Sequence, residues 1–320
     1  MEALAPTAPL VELVPNFSEG RNAAVIEALT RTARAAGVFV LGVESDADHN
    51  RSVFTLAGGP DEVVAAAVDL AGEAARHIDL TRHSGVHPRL GATDVLPFVP
   101  LAGISLAGCA ALAHAAGARI WERHRIPVYF YEAAARRPER RKLEDVRRGE
   151  FEGIQARLPG AAEFRPDIGD AVLHPTAGAV IVGARPFLIA YNFNLTTRDL
   201  AVARAVARRI RASSGGLPGV KALGLWVPHL DCAQVSTNLT DFVRTPLRVL
   251  QAAVQAEAER RGATVREGEL IGLLPQAAVV DVPPDLAAYL AEHPERIIEE
   301  RLAECRKGTG PSGSVTMRTL

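Results

Sequence analysis

Twice along the chain, strand-like and helix-like stretches follow one another in the order β-α-β-β-α-β, and this repeated order limits the fold more than any single motif. In the first run "LVELVPNF" reads as a strand meeting a Pro-Asn break, and "NAAVIEALTRTARAAG" has helical spacing and stops at Gly37. Strands "VFVLGVE" and "RSVFTLAG" flank the polar turn "SDADHN". A helix then opens on Pro60, Asp61 and Glu62, acids suited to a helix N-terminus, and "DVLPFVPL" is the next strand. A helix from Leu106 to Arg123 and the strand "PVYFYE" enlarge this module. The second set opens with "AVIVGA" and "PFLIAYNFNL" and continues through "RDLAVARAVARRIRASSG", "KALGLWV", "CAQVSTNL", "PLRVLQAAVQAEAERRG" and "TVREGELIGLLP", with the six-element repeat starting at Pro186. The residues of the two runs do not align, so the repeat is one of topology. The expected fold is α/β (α+β): two subdomains, each a mixed or antiparallel sheet with helices on one face in ferredoxin-like order. A length of 320 residues suits two such modules.

Between the runs, "RRPERRKLEDVRRGEFEG" reads as a charged helix or turn with a solvated face, because acids are interspersed among its bases. "LPGAAEFRPDIGDAVLHPTAG" lacks periodicity and is too long for an ordinary connection, so a functional loop or a crossing is expected there. The overall charge, 36 basic against 37 acidic residues, argues against a nucleic-acid or anionic-membrane surface and favours a small-molecule substrate. No apolar run approaches the roughly 20 residues that span a bilayer, and "MEALAPTAPL" does not read as a signal peptide. A cytoplasmic protein is expected. Cys109, Cys232 and Cys305 have no paired spacing and read as small hydrophobes rather than as a disulfide or metal framework.

"HSGVHPRLGATDV" sets His83 and His87 four residues apart, with Arg89 and Asp94 close behind. Gly85 and Pro88 break the helix that would bring both imidazoles to one metal, so no metal is expected. A general acid/base loop and a satisfied polar corner both remain open on residue chemistry alone. In "VPNFSEGRN", Asn16 or Ser18 is expected to cap the following helix, and the same N-terminus suits a carboxylate ligand. "ESDADHNRS" aligns Glu44, Asp46, Asp48 and Asn50 but lacks the glycine and glutamate of a calcium loop; it reads as a hairpin connection or as an acidic turn beside Arg51. "GGLPG" is a turn and no phosphate loop.

Taken together, "VELVPNFSEGRN", "HNRSVFTLAG", "RHSGVHPRLGATDVLPFVP", "IPVYFYEAA", "RRGEFEG", "RPDIGDAVLHPTAGAVIVGARPFLIAYNFNL" and "AQVSTNLTDFVRTPL" resemble the formiminotransferase domain family, in order, over most of residues 10 to 280. The resemblance implies two α/β subdomains with substrates bound between them. It implies transfer of a formimino group from N-formimino-L-glutamate to N5 of tetrahydrofolate, the co-substrate, with no metal. The expected divisions are an N-terminal extension 1–9, a first subdomain 10–183, a second subdomain 184–305 and a flexible tail 306–320.

By position in the HPRxGAxDV motif, the family's catalytic histidine falls on His87. One histidine can take the proton from N5 and return one to the departing glutamate nitrogen, with Glu44 as its acidic neighbour. The folate-binding segment falls on Gly169, Asp170, Ala171, Val172, Leu173, His174, Pro175, Thr176, Ala177 and Gly178. Arg51, Arg89 and Arg185 are expected to meet glutamyl carboxylates, and Asn16, Asn192 and Asn194 to supply amide hydrogen bonds. The chain departs from the family pattern at Ser84 and Val86, where relatives carry Lys and Glu, at Glu44, where Asp is common, and at Ala177, where an aromatic can flank the folate segment. The resemblance also implies a homodimer served by a separate cyclodeaminase, since the stretch after Val280 is short. A formyl donor, or folate binding without catalysis, are the alternatives.

Overall fold

The computed structural model describes residues 8–47, 49–85, 88–158 and 160–308. The chain forms two compact units that meet in sequence between Arg185 and Pro186.

In the first unit the opening strand is split by Val14 and Pro15 into β1 (Leu10–Leu13) and β2 (Asn16–Phe17). Helix α1 (Ala23–Ala35) buries Val25, Ile26, Leu29 and Ala33, one stripe of a 3.6-residue period, and the chain leaves it through Gly37 at φ 82°. Its cap is Asn22, whose Oδ1 accepts from the Ala24 and Val25 amides, where Asn16 or Ser18 was expected. The strand pairing explains the difference: Asn16 is held in β2, and the Ser18 hydroxyl donates to the Gly91 carbonyl at 2.8 Å. β3 (Phe39–Asp46) and β4 (Arg51–Gly58) form a hairpin, followed by α2 (Pro60–His77), β5 (Thr93–Ala102), α3 (Leu106–His124) and β6 (Val128–Glu132).

The charged stretch forms the short α4 (Leu143–Val146) and α5 (Glu150–Arg157), and β7 (Val180–Ala184) follows the aperiodic segment. The sheet order is β3, β4, the split β1/β2, β5, β7, β6, with β7 parallel to both of its neighbours. The strand "AVIVGA" was expected to open the second set; instead β7 completes the first sheet. All five of its residues are buried, which is why it reads as a continuous apolar run.

Register fixes the two faces of this sheet. Phe54, Leu56, Phe98 and Phe130 belong to the core shared with α1, α2 and α3. Gly117 of α3 lies so close to Phe130 and Val128 that an added Cβ would stand 2.8 Å from the Phe130 ring. Paired residues share a face, so the row Glu44, Val53, Asn16, Val95 crosses β3, β4, β2 and β5 on the opposite face. Arg51, Glu12 and Tyr131 lie on that same face.

The long connections are pinned rather than solvated. Arg140, 4% exposed, pairs with Asp167 at 2.7 Å and donates to the Glu163 carbonyl, while Asp167 also accepts from the Phe130 amide. Arg140 is thus buried where a solvated face was expected, because arginines in a run without helical period can each turn toward a separate acceptor.

The second unit repeats the order with β8 (Ile189–Leu195), α6 (Leu200–Ile210), β9 (Val220–Val227), β10 (Cys232–Leu239), α7 (Leu247–Glu259) and β11 (Val265–Ile271). The strand order β11, β8, β10, β9 is antiparallel throughout, and Tyr191, Phe193, Val206, Leu250 and Val254 fill its core.

Candidate active site

A cleft in the first unit is lined by Ser18, His49, Asn50, Arg51, His83, Arg89 and Asp94. Asn50, at the foot of the β3–β4 hairpin, has φ 49°, a left-handed conformation that asparagine tolerates better than most residues. Its Oδ1 accepts from the Gly20 amide and its Nδ2 donates to the Ser84 carbonyl, both at 3.0 Å. Gly20 is required there, since a Cβ would lie 2.2 Å from the Asp46 carbonyl oxygen. The hairpin, the start of the helical connection and the loop at Ser84 are therefore joined through one side chain.

His83 is fully committed. The Asn50 carbonyl can only accept, so at 3.2 Å the His83 Nε2 must donate. Its Nδ1 then accepts from Arg89 Nε at 3.0 Å. The ring is neutral with one defined tautomer, and burial, together with the Arg89 charge, holds its pKa below the usual value. A proton on Nδ1 would break the Arg89 bond. The unfolded chain takes up that proton as pH falls through about 6.5 and the folded chain does so only lower, so stability is expected to drop below about pH 6.5. Urea midpoints at pH 5 and 7.5 check this: His83→Gln should flatten the dependence, and parallel curves for variant and wild type would assign it elsewhere.

Arg89 is engaged on all sides. Its guanidinium meets Glu152 at 2.7 and 3.2 Å and Glu150 at 3.4 Å, besides His83. Its own backbone accepts from the Phe151 amide. Arg147, which composition alone placed on a solvated face, donates to the Pro88 carbonyl at 3.1 Å and faces Asp94 at 3.4 Å. Asp94, 2% exposed, accepts from the Leu90 amide at 2.7 Å. Burial pushes the Asp94 carboxyl pKa up, against Arg147 and the backbone donors, which favour its ionised form.

Among the expected site residues, the structure brings Glu44 and Arg51 to one sheet face. Arg51 pairs in register with Asp46, and Glu44 lies two residues before Asp46 on β3. Asn16 shares that face and donates to the Val14 carbonyl. His87 and Val86 lie outside the described residues, as does Asp48; the residues on either side of His87 are those tied to Asn50 and Arg147. Glu19 Oε1 takes the Arg21 and Asn22 amides, so the N-terminal donors expected to suit a ligand carboxylate already hold a protein carboxylate.

The segment 169–178 ends in a tight turn, with His174 and Gly178 exchanging backbone hydrogen bonds. His174 Nδ1 accepts from the Ala177 amide at 3.0 Å, so its Nε2 carries the proton, and burial lowers its pKa. Val172 is exposed, whereas Leu173 and Ala177 are buried. Gly178 forms a bridge with Gly91, next to the cleft loop.

In the second unit Asn192 and Asn194 share one face of β8. Asn194 donates to Glu267 at 3.0 Å and accepts from Gln234 at 2.8 Å, both within the protein. Among the described residues no group of three or more His, Cys, Asp or Glu side chains is placed to hold a metal ion, and no helix is long and apolar enough to cross a membrane.

A family model described as "Formiminotransferase domain, N-terminal subdomain" matches residues 10–185, and one described as "Formiminotransferase domain" matches residues 190–305. The chain belongs to the formiminotransferase family. It is 44% identical over 276 residues to a glutamate formimidoyltransferase of Streptococcus pyogenes serotype M1, covering 86% of this chain and 92% of that protein. A glutamate formimidoyltransferase of Thermoplasma acidophilum is 42% identical, covering 85% of this chain and 90% of that protein. The formimidoyltransferase-cyclodeaminase of Gallus gallus is 43% identical over 280 residues, which are 86% of this formiminotransferase chain but 52% of the bird protein. The chain thus spans about half the length of that bifunctional relative.

Proposed function

We propose that this chain is a glutamate formimidoyltransferase, moving the formimino group of N-formimino-L-glutamate to N5 of tetrahydrofolate and releasing glutamate. The observation that carries the reading is the match along nearly the whole length of two proteins named for that activity. In the reaction N5 attacks the amidine carbon and loses its proton, and the glutamate nitrogen leaves after gaining one. His87 is the base and then the acid, the role its place in the motif implies. The commitment of both His83 ring nitrogens supports the choice of His87 over His83. Glu44 offsets the positive charge that develops on the amidine, and Arg51 on the same sheet face meets a donor carboxylate. The segment 169–178 holds the folate. The family resemblance further supports a homodimer in the cytoplasm, with a separate cyclodeaminase acting on the product.

The test is a donor panel. Wild-type protein with tetrahydrofolate and either N-formimino- or N-formylglutamate should give 5-formiminotetrahydrofolate from the first donor and little product from the second. Formyl product alone would replace the proposed donor. Folate binding without transfer from either donor would make the chain a non-catalytic relative.

A further inference from the structure

Glu12 is a carboxyl group inside an apolar strand that the transfer chemistry does not use. It is 4% exposed, its cross-strand partners Ala57 and Val99 are apolar, and no hydrogen bond to its carboxyl group is found among the described residues. The charge acting on it is that of Arg185, which follows β7 and whose amide donates to the Phe98 carbonyl at 3.1 Å. The Arg185 charge also acts on the buried hydroxyl of Tyr131, which feels Glu132 and Arg147 as well. The Tyr131 ring lies across Gly183, where a Cβ would sit 2.3 Å from it. Glu12 and Tyr131 share the sheet face of Glu44 and Arg51.

Distance separates this group from the cleft. Phe98, which anchors the Arg185 backbone, lies four residues along β5 from Asp94, about 13 Å at the rise of a strand. In N-formiminoglutamate both carboxylates lie within about 6 Å of the transferred carbon by standard bond lengths. In tetrahydrofolate the glutamyl carboxylates lie about 12 to 15 Å from N5, beyond a methylene, an amine and a benzoyl group. The second span is the one closer in size to this backbone separation.

We propose that Arg185 binds a glutamyl carboxylate of the folate substrate, with Tyr131 and Glu12 as its positioning residues; the proposal rests on the transferase reading. Tyr131 aims the guanidinium. Glu12 controls how much of its charge the ligand meets: burial raises its pKa to about 7, so it is neutral in mild acid and becomes an anion beside Arg185 above that. Ala57 and Val99 beside it do not titrate, and the Tyr131 hydroxyl, raised to about 12 by burial, stays protonated across this range. Ionisation of Glu12 therefore offsets the Arg185 charge and weakens carboxylate binding as pH rises.

The experiment compares tetrahydrofolate with tetrahydropteroate, which lacks the glutamate, by steady-state kinetics and by equilibrium binding between pH 6 and 8.5. Wild-type protein should bind tetrahydrofolate severalfold more weakly at the upper end and tetrahydropteroate equally throughout. Glu12→Gln should remove the pH dependence. Arg185→Met should raise the tetrahydrofolate KM about ten- to a hundredfold, leaving kcat and the tetrahydropteroate KM in place. A rise in the formiminoglutamate KM instead, or equal shifts for the two folates, would overturn the proposal. The ligand comparison on unmodified protein needs no variant to fold, and its binding arm reads the subsite even if no transfer occurs.

Discussion

His87→Ala should retain binding of both substrates and lose about 10²- to 10⁴-fold in single-turnover transfer, the range a positioned general acid/base contributes. The contrast with His83→Ala carries the argument. His83 donates to Asn50 and accepts from Arg89, so it has no lone pair to offer a substrate proton. Its loss should loosen the loop and reduce transfer by about tenfold, one lost charge-assisted hydrogen bond. The N5 amine, once it has attacked the amidine carbon, needs a base that takes its proton and can deliver one to the leaving nitrogen, and an imidazole, whose ordinary pKa lies near neutral pH, can do both. Rapid-quench assays of the two variants decide it. A larger loss in His83→Ala than in His87→Ala would exchange their roles.

Asp94→Ala should be the most destabilising change at the cleft, by about 3 to 5 kcal/mol, the usual cost of stranding one partner of a buried charged pair. Asp94 is 2% exposed, takes the Leu90 amide and faces Arg147, whose side chain is 13% exposed. The Arg147 Nε has no hydrogen-bond partner among the described residues. Without the carboxylate, that mostly buried guanidinium keeps only the Pro88 carbonyl among the described residues. Asp94→Asn keeps an acceptor for the Leu90 amide and should lose about 1 to 3 kcal/mol. Denaturant unfolding at pH 7 measures both. A loss under about 1 kcal/mol for the alanine variant would mean that water screens Arg147.

What could be read in advance follows the range of the signal. Helices and strands with a clean period, α1, α2 and the β3–β4 hairpin among them, need only local spacing, and the cores follow from it. The Asn22 cap was missed because Asn16, Ser18 and Asn22 are equally good cap residues, and the pairing of Asn16 in β2 and the Ser18 bond to the Gly91 carbonyl decide among them. β7 was expected to open the second set because a parallel partner 86 residues away leaves no local trace. At the cleft, the motif pointed to the loop, but Arg147 lay hidden in a charged run, and away from the cleft Glu12 lay in an apolar one. For Glu12 the signal existed: a single carboxylate within "LVELV" requires either an exposed face or a special environment.

The most direct measurement is a single turnover of wild-type protein with N-formiminoglutamate carrying ¹³C in the formimino group and one equivalent of tetrahydrofolate. The account predicts that the label appears on folate N5 at the rate at which free glutamate is released. Label that stays on the glutamate while the folate is bound, or that is released as a one-carbon product in water, would contradict it.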